Sequence, residues 1–432
     1  MSIKDAKKTK KTKYKLTVMD YITIGFTIVI VAVMIVFLLK ALKPEWFQKK
    51  DKGSATPTAT QGQPTATDNT PVEQPTETPV YTGIGNAYGN MSNDASAAEI
   101  DGRRYFVTGN EAGGFSLCVN DGTGDRTLVS GEARISSVNV IKDPFTYADV
   151  AGTVAYKVSF IDGSGKICAV TDGPFPSDAE STLTADDVKV TEKTALAEGT
   201  YKSFVSVGAY LYCIDADGYI VRISLNDGSK TALSKNKYTS LAVYYGSIYA
   251  LSDSGSIYVL TTTARPVSDS AEGGEEQGAT DDEYEKLVVT AEFGSISVFD
   301  DWIYACGQSG VIRYDAESFG RDTLTTEYKP VAVNVDRRGI FMLVREVSGD
   351  GSEQLVLLNA TAKDLLGGTP VRIGAVAVSE NSEAGGAAAG SYRITLCSDM
   401  VYVSSADGGS VYGASYVAEA AAYGELAALT AE

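Results

Sequence analysis

One unit recurs along this chain and limits what the chain can fold into. Residues 204–225 read FVSVGAYLYCIDADGYIVRISL, and 241–260 read LAVYYGSIYALSDSGSIYVL. Residues 296–315 read ISVFDDWIYACGQSGVIRYD, and 394–413 read ITLCSDMVYVSSADGGSVYG. Each holds a short alternating strand, a tight turn, an apolar-aromatic strand, a turn rich in Asp, Ser and Gly, and a further strand. A tyrosine recurs after the first turn, as Tyr212, Tyr249, Tyr304 and Tyr402. Looser copies lie at 331–358, where Phe341 takes the tyrosine position, and at 154–170 and 103–119 around Gly-rich turns.

That makes seven units, with the aromatic markers of the later ones about 37 to 61 residues apart. Repeats of this size, built of short strands and Gly-containing turns, mark a β-propeller. One four-stranded blade cannot bury both of its faces alone. Blades packed around an axis bury them and leave only short edges. The sequence therefore predicts an all-β chain, a β-propeller of about seven blades, with six to eight compatible with the spacing. Long gaps hold insertions, one acidic near 268–286 and one rich in Gly and Ala at 379–391. The last stretch, YVAEAAAYGELAALTAE, is compatible with a helix or with the strand that closes the ring against the N-terminal end.

The chain ahead of the repeats reads differently. Residues 21–39, YITIGFTIVIVAVMIVFLL, are uncharged and apolar over 19 positions. At about 1.5 Å per residue they match a bilayer core of roughly 30 Å. Seven lysines precede the run and five follow it, a bias toward an N-terminus inside. Continuation as KALKPEWFQKK, with no small-residue cleavage site, argues for an uncleaved signal anchor rather than a signal peptide. Residues 53–80 are rich in Thr, Pro, Ala and Gln, with five prolines, and read as a disordered, extended stalk. The expected order is a basic cytoplasmic tail (1–20), a transmembrane signal anchor (21–40), a juxtamembrane segment and linker (41–94) and an extracytoplasmic propeller (95–432). Within the linker, YTGIGNAYG contains a Gly-x-Gly, but it follows a stalk rather than a strand and reads as loop.

Charge narrows the partners. The net charge is −18, yet residues 1–52 carry about +8, leaving about −26 on the remainder. So acidic a body repels nucleic acid. The chain has no histidine, which excludes Ser-His-Asp and Cys-His catalysis and His-ligated zinc. Its five cysteines are far apart and each lies in an apolar run, as expected of buried free thiols. Asp215 and Asp217 sit in a hairpin turn whose counterparts, SDSG, GQSG and SADGG, do not keep both acids. A calcium loop needs oxygen ligands at alternate positions and a terminal Glu, so the turn reading is preferred and no metal or other cofactor is expected.

The unit YLYCIDADGYIVRISLNDGSKTAL resembles the β-propeller domains related to the LDL-receptor-related protein in surface proteins of clostridia and their relatives. Tyr212, Asp215, Asp217, Gly218, Ile223, Asn226, Asp227, Gly228, Ser229 and Leu233 fit that pattern. The match is good over 204–260, looser over 296–413 and poor over 95–200, and the YWTD motif of the receptor propellers is absent. The resemblance implies a propeller at a cell surface and implies no activity. SADGGSVY at 405–412 matches the first part of a sialidase Asp-box, a structural turn. Tryptophan-rich docking motifs of quinoprotein propellers are missing, and no catalytic constellation stands out.

The expectation is a binding or scaffold module anchored in the cell membrane, holding a surface protein partner. The alternative is a binder of cell-wall polymer or glycan, and a polysaccharide-active enzyme ranks below both. Tyr244, Tyr245 and Trp302 are the candidate ligand contacts, although packing between blades is the plainer role for each.

Overall fold

The computed structural model describes residues 80–109, 113–177, 183–184, 187–263, 284–347, 351–377, 392–405 and 410–429. The basic tail, the apolar run at 21–39 and nearly all of the stalk lie outside the described residues. Among the described residues, no helix is long and apolar enough to cross a membrane.

Seven antiparallel sheets follow one another along the chain, at 97–132, 135–195, 201–232, 238–289, 293–325, 330–377 and 392–428. We number them blades I to VII. Their strands lie in sequence order, and each repeat unit of the sequence falls in a blade of its own. The fold is an all-β, seven-bladed β-propeller. In blades II and VII the fourth strand comes in two short pieces that pair with the same third strand. The acidic insertion ends inside blade IV: Glu285–Val289 is that blade's fourth strand, and residues 264–283 lie outside the described residues.

The recurring tyrosine has one structural address. Counting from the first turn, the third residue pair of the hairpin is Val205↔Tyr212, Ala242↔Tyr249, Ser297↔Tyr304 and Asn334↔Phe341; in blade VII, where Cys397 N–H bonds Met400 O next to the turn, Thr395↔Tyr402 holds the same place. Tyr105 holds the same place in blade I, opposite Ala98. All six rings are buried, which contributes roughly 1.5–3 kcal/mol each. The apolar cores lie between blades rather than within them. Ile161 and Ile167 of blade II cluster with Phe204 and Leu211 of blade III, and Ile248 of blade IV with Ile296 and Ile303 of blade V. A second repeat runs through the first strands. Tyr201, Tyr238, Phe293 and Pro330 each precede a register shift that brings Ser203, Ser240, Ser295 and Ala332 into pairing. An irregularity at one place in four blades bends the inner strand in the same way each time.

Blade VII meets blade I by side-chain packing. Phe106 stacks on Tyr402 with ring centroids 6.2 Å apart, and Arg104 pairs with Asp399. Glu99 accepts bonds from the N–H and hydroxyl of Ser398 at 2.8 and 2.7 Å. The C-terminal stretch is neither a long helix nor a strand shared with the N-terminal end. Ala418–Ala420 is a single 3-10 turn, and Ala422–Tyr423 and Ala427–Ala428 complete blade VII. Its one backbone link to blade I among the described residues is Gly109 N–H to Leu429 O, at 3.1 Å.

The centre of the ring is filled by the chain itself. Residues 81–96, of which 81–94 read from the sequence as the end of the linker, run through the channel as a strap, with a single helical turn α1 (Tyr88–Met91) in it. Because all blades share one strand order, their first turns lie at one end of the ring. The strap enters there: Gly83 O accepts Gly208 N–H, beside the first turn of blade III. It leaves at the other end, where Asp94 O and Ala95 O accept from Ser137 and Val138 at the start of blade II's first strand. The chain then turns back into the first strand of blade I. Within YTGIGNAYG, Gly85, Asn86 and Gly89 are therefore buried in the fold, while Thr82, Gly83, Ile84 and Ala87 are exposed. A Cβ on Gly85 would lie 2.7 Å from Asn139 Oδ1, and one on Gly89 2.3 Å from Val335 O. Those two glycines let the strap approach the inner strands.

Candidate binding site on the first-turn face

Tyr244 and Tyr245 form the first turn of blade IV with Gly246. They have opposite fates. Tyr244 is 6% exposed; its hydroxyl donates to Asp301 Oδ1 and accepts from Asp301 N–H, each at 2.9 Å. Burial, ahead of the Asp301 charge, pushes its phenol up to about 12. It ties blade IV to blade V. Tyr245 is 79% exposed, at φ 43°, a region that costs a side-chain-bearing residue free energy. Its ring stands edge-on to Tyr244 at 4.5 Å and lies 6.1 Å from Tyr88 of the strap. Trp302 is not part of this cluster. It is half-buried, packs with Phe299 against the core shared by blades V and VI, and carries the Arg313 guanidinium 3.9 Å over its ring.

Beside the aromatic group is a hollow of about 170 Å³ at the channel mouth. The strap supplies Asn86 and Ala87 to its wall, and the blades supply Glu99, Phe299, Asp336 and Ser398. Asp336 grips Arg338 through Nε and an η nitrogen at 2.8 and 2.6 Å. Asp300 and Asp301, both exposed and both at positive φ, form the neighbouring first turn of blade V. The mouth thus offers one exposed ring, an apolar wall, and a rim where Asp336 is held by Arg338 and Glu99 by Ser398. Tyr88 is hidden from a sequence reading because it lies in an apparent linker. The N-x-x-x-N spacing of Asn86 and Asn90, both buried, is the available signal.

The acidic turns have a local role. Asp215 Oδ1 accepts the N–H groups of Asp217 and Tyr219 at 3.1 and 2.9 Å. Asp162 does the same for Ser164 and Lys166 in blade II, and the hydroxyls of Ser252 and Ser405 replace the carboxylate in blades IV and VII. These side chains satisfy turn amides, as Asx and Ser turns do. Among the described residues, no three His, Cys, Asp or Glu are grouped to hold a metal. All five cysteines are buried and free.

No family model matches the chain, and no curated protein matches it. Solved structures do. The computationally designed Ika8 protein is 11% identical, with 81% of this chain and 93% of that one covered and a TM-score of 0.39. The extracellular domain of a hybrid two-component system from B. thetaiotaomicron is 14% identical, with 78% and 42% covered and a TM-score of 0.40. PorZ, a surface component of the type-IX secretion system of Porphyromonas gingivalis, is 10% identical, with 79% and 39% covered and a TM-score of 0.36. The chain spans about two fifths of the length of the latter two. Its own sheet topology identifies it as a seven-bladed β-propeller.

Proposed function

We propose that this chain is a membrane-anchored, extracytoplasmic binding or scaffold module of the surface-propeller kind its hairpin units resemble. A protein partner docks on the first-turn face. Tyr245 is the observation that carries this reading. An aromatic ring 79% exposed, at φ 43°, and braced on a buried tyrosine is costly for folding alone and suited to anchoring a contact. The adjacent hollow adds an apolar wall, with Phe299, Val335 and Leu396, beside that ring. Filling of the channel by the strap directs binding to the faces of the ring.

The test places a photoreactive residue at position 245, or at exposed position 217 in a second turn at the opposite end of the ring as a control, in intact cells. One discrete protein adduct confined to position 245 is expected. Adducts to wall polymer alone would move the reading to the glycan binder. Equal capture at both positions would end the docking idea.

A further inference from the structure

The strap is held differently from the blades. Blades join through aliphatic and aromatic side chains; the strap joins mainly through hydrogen bonds. Asn86 Nδ2 donates to Ala97 O of blade I and Val138 O of blade II, both at 2.8 Å. Gly85 N–H donates to Ser206 O of blade III, Ser92 Oγ to Ile296 O of blade V and Asn93 Nδ2 to Val333 O of blade VI. Asn90 pairs with Leu396 of blade VII, and Tyr88 packs on Tyr244 of blade IV at 4.7 Å. Apart from Tyr81, the strap's fully buried apolar side chains are only Met91 and Ala95. Asn93 Oδ1 is buried with no hydrogen-bond partner among the described residues. Water entering the channel can replace hydrogen bonds, whereas it cannot replace the apolar contacts between blades. Few buried apolar side chains place a segment toward the low-stability end of a fold.

We propose that residues 81–96 are a releasable strap: load on the preceding chain draws them out of the channel while the blades stay folded. Release removes Asn86 and Ala87 from the wall of the 170 Å³ hollow and Tyr88 from beneath Tyr245. The docking face proposed above then loses its floor, so tension on the N-terminal segment switches binding off. This consequence rests on the docking reading; the release itself does not.

Stretching the full chain between handles at its N-terminus and on the exposed surface of blade V separates the two. Two steps are expected. The first, at low force, releases sixteen residues, a contour gain on the order of 50 Å. The second unfolds blades. Gly89→Ala, whose Cβ would meet Val335 O, shifts the first step to lower force and leaves the second in place. Ser92→Ala, which removes one hydrogen bond, gives a smaller shift in the same direction and serves where Gly89→Ala fails to fold. A single rupture for strap and blades together, or variants that move both steps alike, would overturn the proposal.

Discussion

The side chain of Asn90 pairs with the backbone of Leu396 as one strand pairs with another. Asn90 Nδ2 donates to Leu396 O at 2.7 Å, and Leu396 N–H donates to Asn90 Oδ1 at 2.8 Å. The same amide accepts from Asn334 Nδ2 and donates to Asn86 Oδ1, so all its capacity is used in a site 1% exposed. An Asn90→Asp change keeps the size and removes both donors, setting a carboxylate against two acceptor oxygens. We expect a loss of about 3 kcal/mol, read as a lower urea midpoint. A loss below about 0.5 kcal/mol would mean that the channel is wet enough for water to take the amide's place.

Gly85→Ala tests the close approach of strap and blades. The new Cβ would lie 2.7 Å from Asn139 Oδ1 and 2.9 Å from Ser206 Cβ, both in inner strands. A cost of about 2 kcal/mol is expected from this overpacking. Gly294→Ala is the control, because its Cβ meets nothing closer than Val331 O at 3.9 Å. Equal midpoints for the two variants would refute the tight fit.

Stability and binding should part company at Tyr245. Glycine relieves the positive φ but forfeits the edge contact with Tyr244, so Tyr245→Gly should change stability by less than about 1 kcal/mol. The protein adduct formed in cells should vanish with it. An unchanged partner yield, measured by conventional cross-linking, would remove Tyr245 from the contact.

Asp143 makes part of the stability acid-sensitive. Burial raises its pKa, but hydrogen bonds from Thr146, the Phe145 N–H and Thr171, with the Lys157 charge, outweigh that and hold it below the usual 3.8. A carboxyl depressed in the folded state stabilises the fold above its unfolded pKa of about 4 and loses that contribution as pH falls through the folded value. Asp143→Asn should therefore lower Tm at pH 7 and have little effect near pH 2. Equal losses at both pH values would show that the carboxylate's charge is immaterial.

The five thiols should be silent in the native protein. Burial pushes Cys168 up to about 11 and Cys306 to about 12, and raises Cys118, Cys213 and Cys397 as well. Thiolate is the reactive form, so iodoacetamide at pH 7 should label none of them until denaturant is added. Rapid native labelling of any one would show that its blade opens.

The first turns and recurrent tyrosines make the blades legible in the sequence. Strand alternation and turn chemistry act over a few residues, and a repeat displays them seven times. The copies at 103–119 and 154–170 are weaker, yet each marks a blade. A subtler signal lies in the openings YKS, YTS and FGS at 201, 238 and 293, where the inner strands bend. Of the candidate contacts, Tyr244 and Trp302 cannot be told from Tyr245 by sequence. Which ring is buried depends on Asp301, in the first turn of blade V, and on Arg313, on the strand paired with that of Trp302.

By itself, then, the sequence determined an all-β repeat, because hydrophobic alternation and turn residues are local physics. Tertiary structure alone decided that GNAYGNMSN fills the channel. Its glycines and asparagines look like linker composition because their partners are backbone groups of the inner strands of six blades, up to 306 residues away. Hydrogen bonds to a backbone leave no complementary residue type in the sequence to reveal them.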